Sequence, residues 1–147
     1  MISTNLLKSI MSHEGLKLKP YRCPSGYLTI GYGRNLEQKG LSEKEALFLL
    51  TNDILECQNE CEKNFKFFKT LNPTRQDVLV EMCYNLGLQG LKGFKKFLNA
   101  VEVNDFATAS TEMLNSKWAR QVKKRAITLA QLMKEGNYPL IKKENKR

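Results

Sequence analysis

Between Gly15 and Leu36 the hydrophobic periodicity switches from helical to strand-like, and by Ser42 it has switched back. Any sheet is therefore confined to one short stretch near the start of the chain. Upstream of it, Ile2, Leu6, Leu7, Ile10 and Met11 recur at helical spacing, with Asn5, Lys8, Ser9, Ser12 and His13 on the other face. Ser3 or Thr4 can cap this helix, and Gly15 suits its end. Within the stretch, Tyr21, Tyr27, Leu28, Thr29, Ile30 and Tyr32 are strand formers, and Cys23-Pro24-Ser25-Gly26 is turn chemistry. The spacing predicts a hairpin or a three-stranded sheet, too small to stand alone. Downstream, Ser42-Glu43-Lys44-Glu45 is a capping box opening a helix that runs to about Lys63. Asn72-Pro73 starts another, which ends at Gly87. Two shorter helices follow, at about 94–101 and 105–114, and a last one runs from about Ala119 to Lys134 and stops at Gly136. Sheet and helices segregate along the chain, which is the α+β pattern and not that of a parallel α/β sheet.

At 147 residues the chain is one domain, or two small lobes sharing a core. Lys and Arg number 24 against 15 Asp and Glu, a net charge of +9 that calls for an anionic partner. Four irregularly placed cysteines are too few for a secreted disulfide scaffold. No apolar run reaches the roughly 18 residues of a membrane span. The N-terminus lacks the basic and apolar regions of a signal peptide, so the expectation is a protein with no export signal and no stable membrane insertion. The lysine-rich stretch Lys142–Arg147 reads as a frayed end.

Glu14 falls four residues after Ile10, on the apolar stripe of the first helix, and in its last turn. Partial burial and the negative end of the helix dipole would both disfavour a charged carboxylate there. A carboxylic acid kept protonated is what a general acid requires. By itself the residue decides nothing, because a glutamate at a helix end is commonly solvated.

Its surroundings are more specific. The string His13-Glu14-Gly15-Leu16-Lys17-Leu18-Lys19-Pro20-Tyr21, followed by Gly26-Tyr27-Leu28-Thr29-Ile30-Gly31-Tyr32-Gly33, resembles the phage-type lysozymes of glycoside hydrolase family 24. The family motif is a glutamate, eight residues, an aspartate or cysteine, five residues, and a threonine, and the matching positions are Glu14, Cys23 and Thr29. The helix from Ser42 resembles the one that joins the family's two lobes. Tyr84-Asn85-Leu86-Gly87, Gly90 and Gly93-Phe94 resemble its substrate-facing segment, and Ser116-Lys117-Trp118 through Arg125 its C-terminal region. The resemblance implies a single lysozyme-like domain in compact form, with a β lobe at about 15–41, a connecting helix at 42–63, and a helical lobe made of 1–14 and 64–147.

It further implies a muramidase cutting the β-1,4 bond between N-acetylmuramic acid and N-acetylglucosamine in peptidoglycan. Glu14 is then the acid. Cys23 and Thr29 hold or activate the attacking water, and Tyr32, Asn85, Gly87 and Phe94 contact the glycan. Cys23 is the departure from the commoner aspartate. A thiol is mostly neutral at pH 7 and accepts hydrogen bonds poorly until ionised. Arg22 and Lys19 are candidates for stabilising its thiolate, although strand alternation points Arg22 the other way. Acting as a base, Cys23 leads to inversion; attacking the sugar directly, it leads to retention through a covalent intermediate. By the same resemblance Arg125 or Lys124 is expected to pair with Glu14.

Other features have plainer readings. His13 lies on the polar face of its helix. Trp118 can stack on a sugar or anchor a core. Cys57 and Cys61 face the same way on one helix, but with Cys83 elsewhere they have no evident fourth ligand, so free thiols and no metal are expected. No cofactor is needed, since acid, water and polymer suffice. Two rivals remain: a catalytically impaired wall-binding relative, motivated by Cys23, and a nucleic-acid binder, motivated by charge alone. The scattered lysines and the lack of a reading motif speak against nucleic acid. The expected partner is the peptidoglycan glycan strand, with another glycan such as chitin as the alternative substrate within the enzyme class. The protein is expected to be a monomer that accumulates in the host cytoplasm and reaches the periplasm and wall through a holin.

Overall fold

The computed structural model describes residues 1–140; the tail Lys142–Arg147 lies outside them. The described residues divide into two compact units, Met1–Leu49 and a second that begins at Leu50.

The first unit opens with α1, Thr4–Glu14, where Ser3 is the cap: its hydroxyl accepts from the Leu6 N–H at 3.3 Å. Gly15, at φ 70°, ends the helix and returns its N–H to the Met11 carbonyl. Three antiparallel strands follow in the order β1 (Lys17–Arg22), β2 (Leu28–Gly31) and β3 (Arg34–Asn35). Register pairs Tyr21 with Thr29, Arg22 with Leu28, and Ile30 with Arg34. A four-residue helix, α2 (Leu36–Lys39), carries no apolar periodicity and was not foreseeable. The long helix α3, Glu43–Asn64, starts at the capping box: Glu45 N–H donates to Ser42 Oγ at 3.1 Å, and Ser42 N–H donates to Glu45 Oε1 at 2.9 Å. Arg34 grips the same carboxylate with Nη1 at 2.6 Å and Nη2 at 2.8 Å, tying the sheet edge to the start of α3.

The second unit holds the hydrophobic core. Val78, Leu79 and Met82 on α4 (Pro73–Lys92), Phe97 and Val101 on α5 (Lys95–Glu102), Met113 on α6 (Phe106–Leu114), and Leu129 and Met133 on α8 (Lys124–Glu135) are all buried. Each such side chain contributes about 1.5–3 kcal/mol by leaving water. Asn72 caps α4 and Pro73 occupies its first turn. Arg75 bonds the Met133 and Lys134 carbonyls at the far end of α8 and lies 3.6 Å over the Phe106 ring.

Two helix ends differ from expectation. The backbone does break at Gly87, with φ 74°, but helical hydrogen bonding resumes and carries α4 on to Lys92. The expected last helix is two: α7, Lys117–Val122, and α8, separated at Lys123, which takes a left-handed φ of 51°. Lysine has no preference for that region, so local sequence held no sign of the break.

Candidate active site

Glu14 is the last residue of α1, and the glycine turn after it sends the chain directly into β1. The expected partial burial is not present: Glu14 is exposed, as is the rest of α1. What positions the carboxylate is the hairpin turn between β2 and β3. Gly33 in that turn sits so close to Glu14 that a Cβ there would stand 2.7 Å from Glu14 Cδ. Tyr32, beside it, is exposed.

Cys23 and Thr29 are brought together by the turn linking β1 to β2. Cys23 N–H donates to the Tyr27 carbonyl at 3.0 Å, and Gly26 N–H donates back to the Cys23 carbonyl at 2.8 Å. This turn curls backbone N–H groups around the half-buried sulfur. The thiol is held below its ordinary value chiefly by the Tyr27 N–H, against an opposing effect of burial, with help from the Ser25 N–H, the Thr29 hydroxyl and the Gly26 N–H. The cations suggested by sequence are not the cause. Arg22 is engaged elsewhere, pairing with Glu37 at 3.3 Å and donating to the Gly26 carbonyl at 2.9 Å. The turn residues Pro24-Ser25-Gly26 were the available signal for such a nest of donors.

Thr29, 3% exposed, is the one buried residue of its unit. Its hydroxyl donates to the Tyr27 carbonyl at 2.9 Å. That single hydrogen can turn to the Tyr27 carbonyl or to the Cys23 sulfur, and in either orientation the oxygen keeps lone pairs for accepting. A half-exposed sulfur in a nest of donors, with a hydroxyl acceptor beside it, can hold a water molecule and take its proton.

In the second unit, three residues singled out by sequence are physically linked. Trp118 is 4% exposed, so it anchors the core and offers no face to a sugar. Its Nε1–H donates to Asn85 Oδ1 at 2.7 Å, and its ring meets Phe94 edge-on at 6.1 Å between centroids. Asn85 is exposed, with its amide orientation set by the indole. Phe94 borders a cleft of about 570 Å³ whose wall includes Gly90, Gly93, Lys95, Glu112 and Asn115. Gly87 lies two residues past Asn85, at the break in α4. Arg125 donates from Nε to Glu81 Oε2 at 2.8 Å, a pairing across 44 positions that sequence spacing did not suggest. His13 meets Ser9 at 3.4 Å on the surface of α1.

Among the described residues, no three His, Cys, Asp or Glu side chains are arranged to hold a metal ion, and no helix is long and apolar enough to cross a membrane.

The chain is 27% identical over 154 residues to a protein named Probable T4-type lysozyme 1 of Dictyostelium discoideum, covering 84% of this chain and 89% of that one. It is 30% identical over 122 residues to a protein named Endolysin of Acyrthosiphon pisum secondary endosymbiont phage 1, covering 81% and 80%. A third similar protein is the Pre-baseplate central spike protein Gp5 of Enterobacteria phage T4. There the identity is 27% over 161 residues, and the match covers 90% of this chain but 28% of that longer protein. The family model described as Phage lysozyme matches residues 11–134, which takes in Glu14, Cys23 and Thr29 together with the helical unit as far as α8. The small antiparallel sheet followed by a helical remainder is the α+β arrangement that the resemblance implied. The chain belongs to the phage lysozyme family and is a lysozyme.

Proposed function

We propose that this lysozyme is an endolysin that hydrolyses the β-1,4 bond between N-acetylmuramic acid and N-acetylglucosamine with inversion. In this mechanism Glu14 protonates the leaving glycosidic oxygen. A water on the opposite face of the sugar donates one hydrogen bond to Thr29 Oγ1 and the other to the Cys23 sulfur. The sulfur takes its proton as the oxygen attacks the anomeric carbon. The observation that carries this reading is the nest around Cys23, because donors converging on the sulfur favour the thiolate, the form able to act as a base. Exposed Tyr32 and Asn85, the open backbone at Gly87, and Phe94 at its cleft are the groups proposed to meet the glycan.

A net charge of +9 suits the carboxylates of peptidoglycan stem peptides, which it would attract by long-range steering. The protein is proposed to act as a monomer without a cofactor. It would accumulate in the host cytoplasm and reach the wall once a holin has permeabilised the membrane. Purified murein tests the activity. Wild type should release reducing ends, and Glu14→Gln should release them some 10²–10⁴-fold more slowly.

The second reading, a catalytically impaired relative that only binds peptidoglycan, is favoured by the cysteine at the motif position that can hold aspartate. Murein binding without released reducing ends would establish it in place of the first.

A further inference from the structure

Three of the four cysteines, separate in sequence, meet in the second unit. Cys57 and Cys61 lie one turn apart on α3, on one face. Cys83 on α4 lies within side-chain interaction reach of both. Its Sγ also donates to Glu60 Oε2 at 3.5 Å. Exposure separates the three: Cys61 is 0% and Cys83 1% exposed, whereas Cys57 is only partly covered. A small apolar side chain would serve packing equally well, yet this cluster brings three thiols and a proton-accepting carboxylate together. Burial pushes all three thiols above their ordinary value, and Cys57, the least covered of them, is the point of entry for a reagent.

We propose that Cys57 and Cys83 form a reversible disulfide tying α3 to α4, made by exchange with a small-molecule disulfide such as oxidised glutathione. Cys57 loses its proton to solvent and its thiolate attacks one sulfur of the small disulfide. That S–S bond breaks, one small thiolate leaves and is protonated, and a mixed disulfide remains on Cys57. Cys83 then gives its proton to Glu60 and attacks Cys57 Sγ, expelling the second small thiolate, which is protonated in turn. Two cysteines are oxidised, and one small disulfide is reduced to two thiols. Cys61 lies one turn from Cys57 on the same helix, where the two Cβ vectors run side by side and do not converge, so it stays reduced.

The full-length protein, equilibrated with oxidised glutathione, quenched in acid and alkylated in denaturant, tests the proposal. The expected result is a chain about 2 Da lighter with a Cys57–Cys83 cross-linked peptide, reversed by dithiothreitol. Two of its four cysteines are then no longer alkylated. Closing the loop between α3 and α4 should raise Tm by about 5–10 °C. Cys57→Ser should lose the cross-link, and Cys61→Ala should keep it. Persistence of all four free thiols, glutathione adducts without a cross-link, or a cross-link through Cys23 or Cys61 would each overturn the assignment. Should Cys61→Ala fold poorly, the wild-type peptide map still decides.

Discussion

The Glu14 carboxyl group rests against the backbone of Gly33, with no room between them for a methyl group: an added Cβ would lie 2.7 Å from Cδ and closer still to Oε2. Glycine at 33 therefore does more than permit the turn. Gly31 offers an internal control, since it has the same φ of 70° but nothing within 4 Å of the position its Cβ would take.

Gly33→Ala should displace Glu14 as well as strain the turn, whereas Gly31→Ala should only strain it. Both variants are expected to lose about 1–2 kcal/mol of stability for a non-glycine residue at positive φ. Only Gly33→Ala should lose kcat, by about 10²-fold, since a misplacement of about 1 Å is enough. Steady-state kinetics and thermal melts on the two variants separate the effects; equal kcat losses would show that Gly33 matters for the turn alone.

The role of Cys23 is visible in pH dependence. A thiol held below its ordinary value gives an activity that rises with pH as the thiolate forms, with a midpoint below 9.0. Cys23→Asp should remain active and carry that rising limb toward about pH 4, the range of an ordinary carboxyl group. In Cys23→Ser the limb should vanish and the rate drop by about 10²–10⁴-fold. An inactive but folded Cys23→Asp would instead point to direct attack by sulfur on the sugar.

Glu45 links acid stability to the sheet edge. The Arg34 guanidinium, joined by hydrogen bonds from Ser42, lowers its carboxyl from 4.5 to about 2. The folded value is the depressed one, so the stabilisation is complete above about 4.5 and fades as pH falls through about 2. Glu45→Gln should therefore melt below wild type at neutral pH, and the two curves should converge between these values. A gap independent of pH would show that the carboxylate's charge is not what holds Arg34.

Trp118 and Asn85 should be coupled. Asn85→Ala leaves a buried indole N–H without its acceptor, at a cost of about 1–3 kcal/mol. Adding Trp118→Phe removes the stranded donor, so the double variant should lose less than the sum of the singles, by about 0.5–3 kcal/mol. Denaturant melts of the four proteins measure this, and strict additivity would contradict the link.

Much of the fold was legible locally. The capping box at Ser42 and Glu45, the proline start at Pro73, and the glycine ends at Gly15 and Gly136 are short-range signals that each mark a real boundary, and Gly87 marks a real break inside α4. The break at Lys123 was not legible, because a lysine at positive φ is imposed by packing and not by its own preference. The α+β class followed from the confinement of strand formers to one stretch. At the candidate site, the motif positions could be named from spacing, but their surroundings could not. The thiolate-favouring groups near Cys23 are backbone N–H donors, whose direction depends on turn geometry and not on residue type. Arg125 is likewise committed to Glu81, a choice made by the packing of α8 against α4. The convergence of Cys83 on Cys57 and Cys61 is also tertiary.

The stereochemistry of the first product tests the central claim most directly. A proton NMR time course on a murein oligomer identifies the anomer released before mutarotation. A water held by Thr29 and deprotonated by Cys23 predicts that the α anomer of the new reducing end appears first. Appearance of the β anomer first would contradict the account and place the sulfur on the sugar instead.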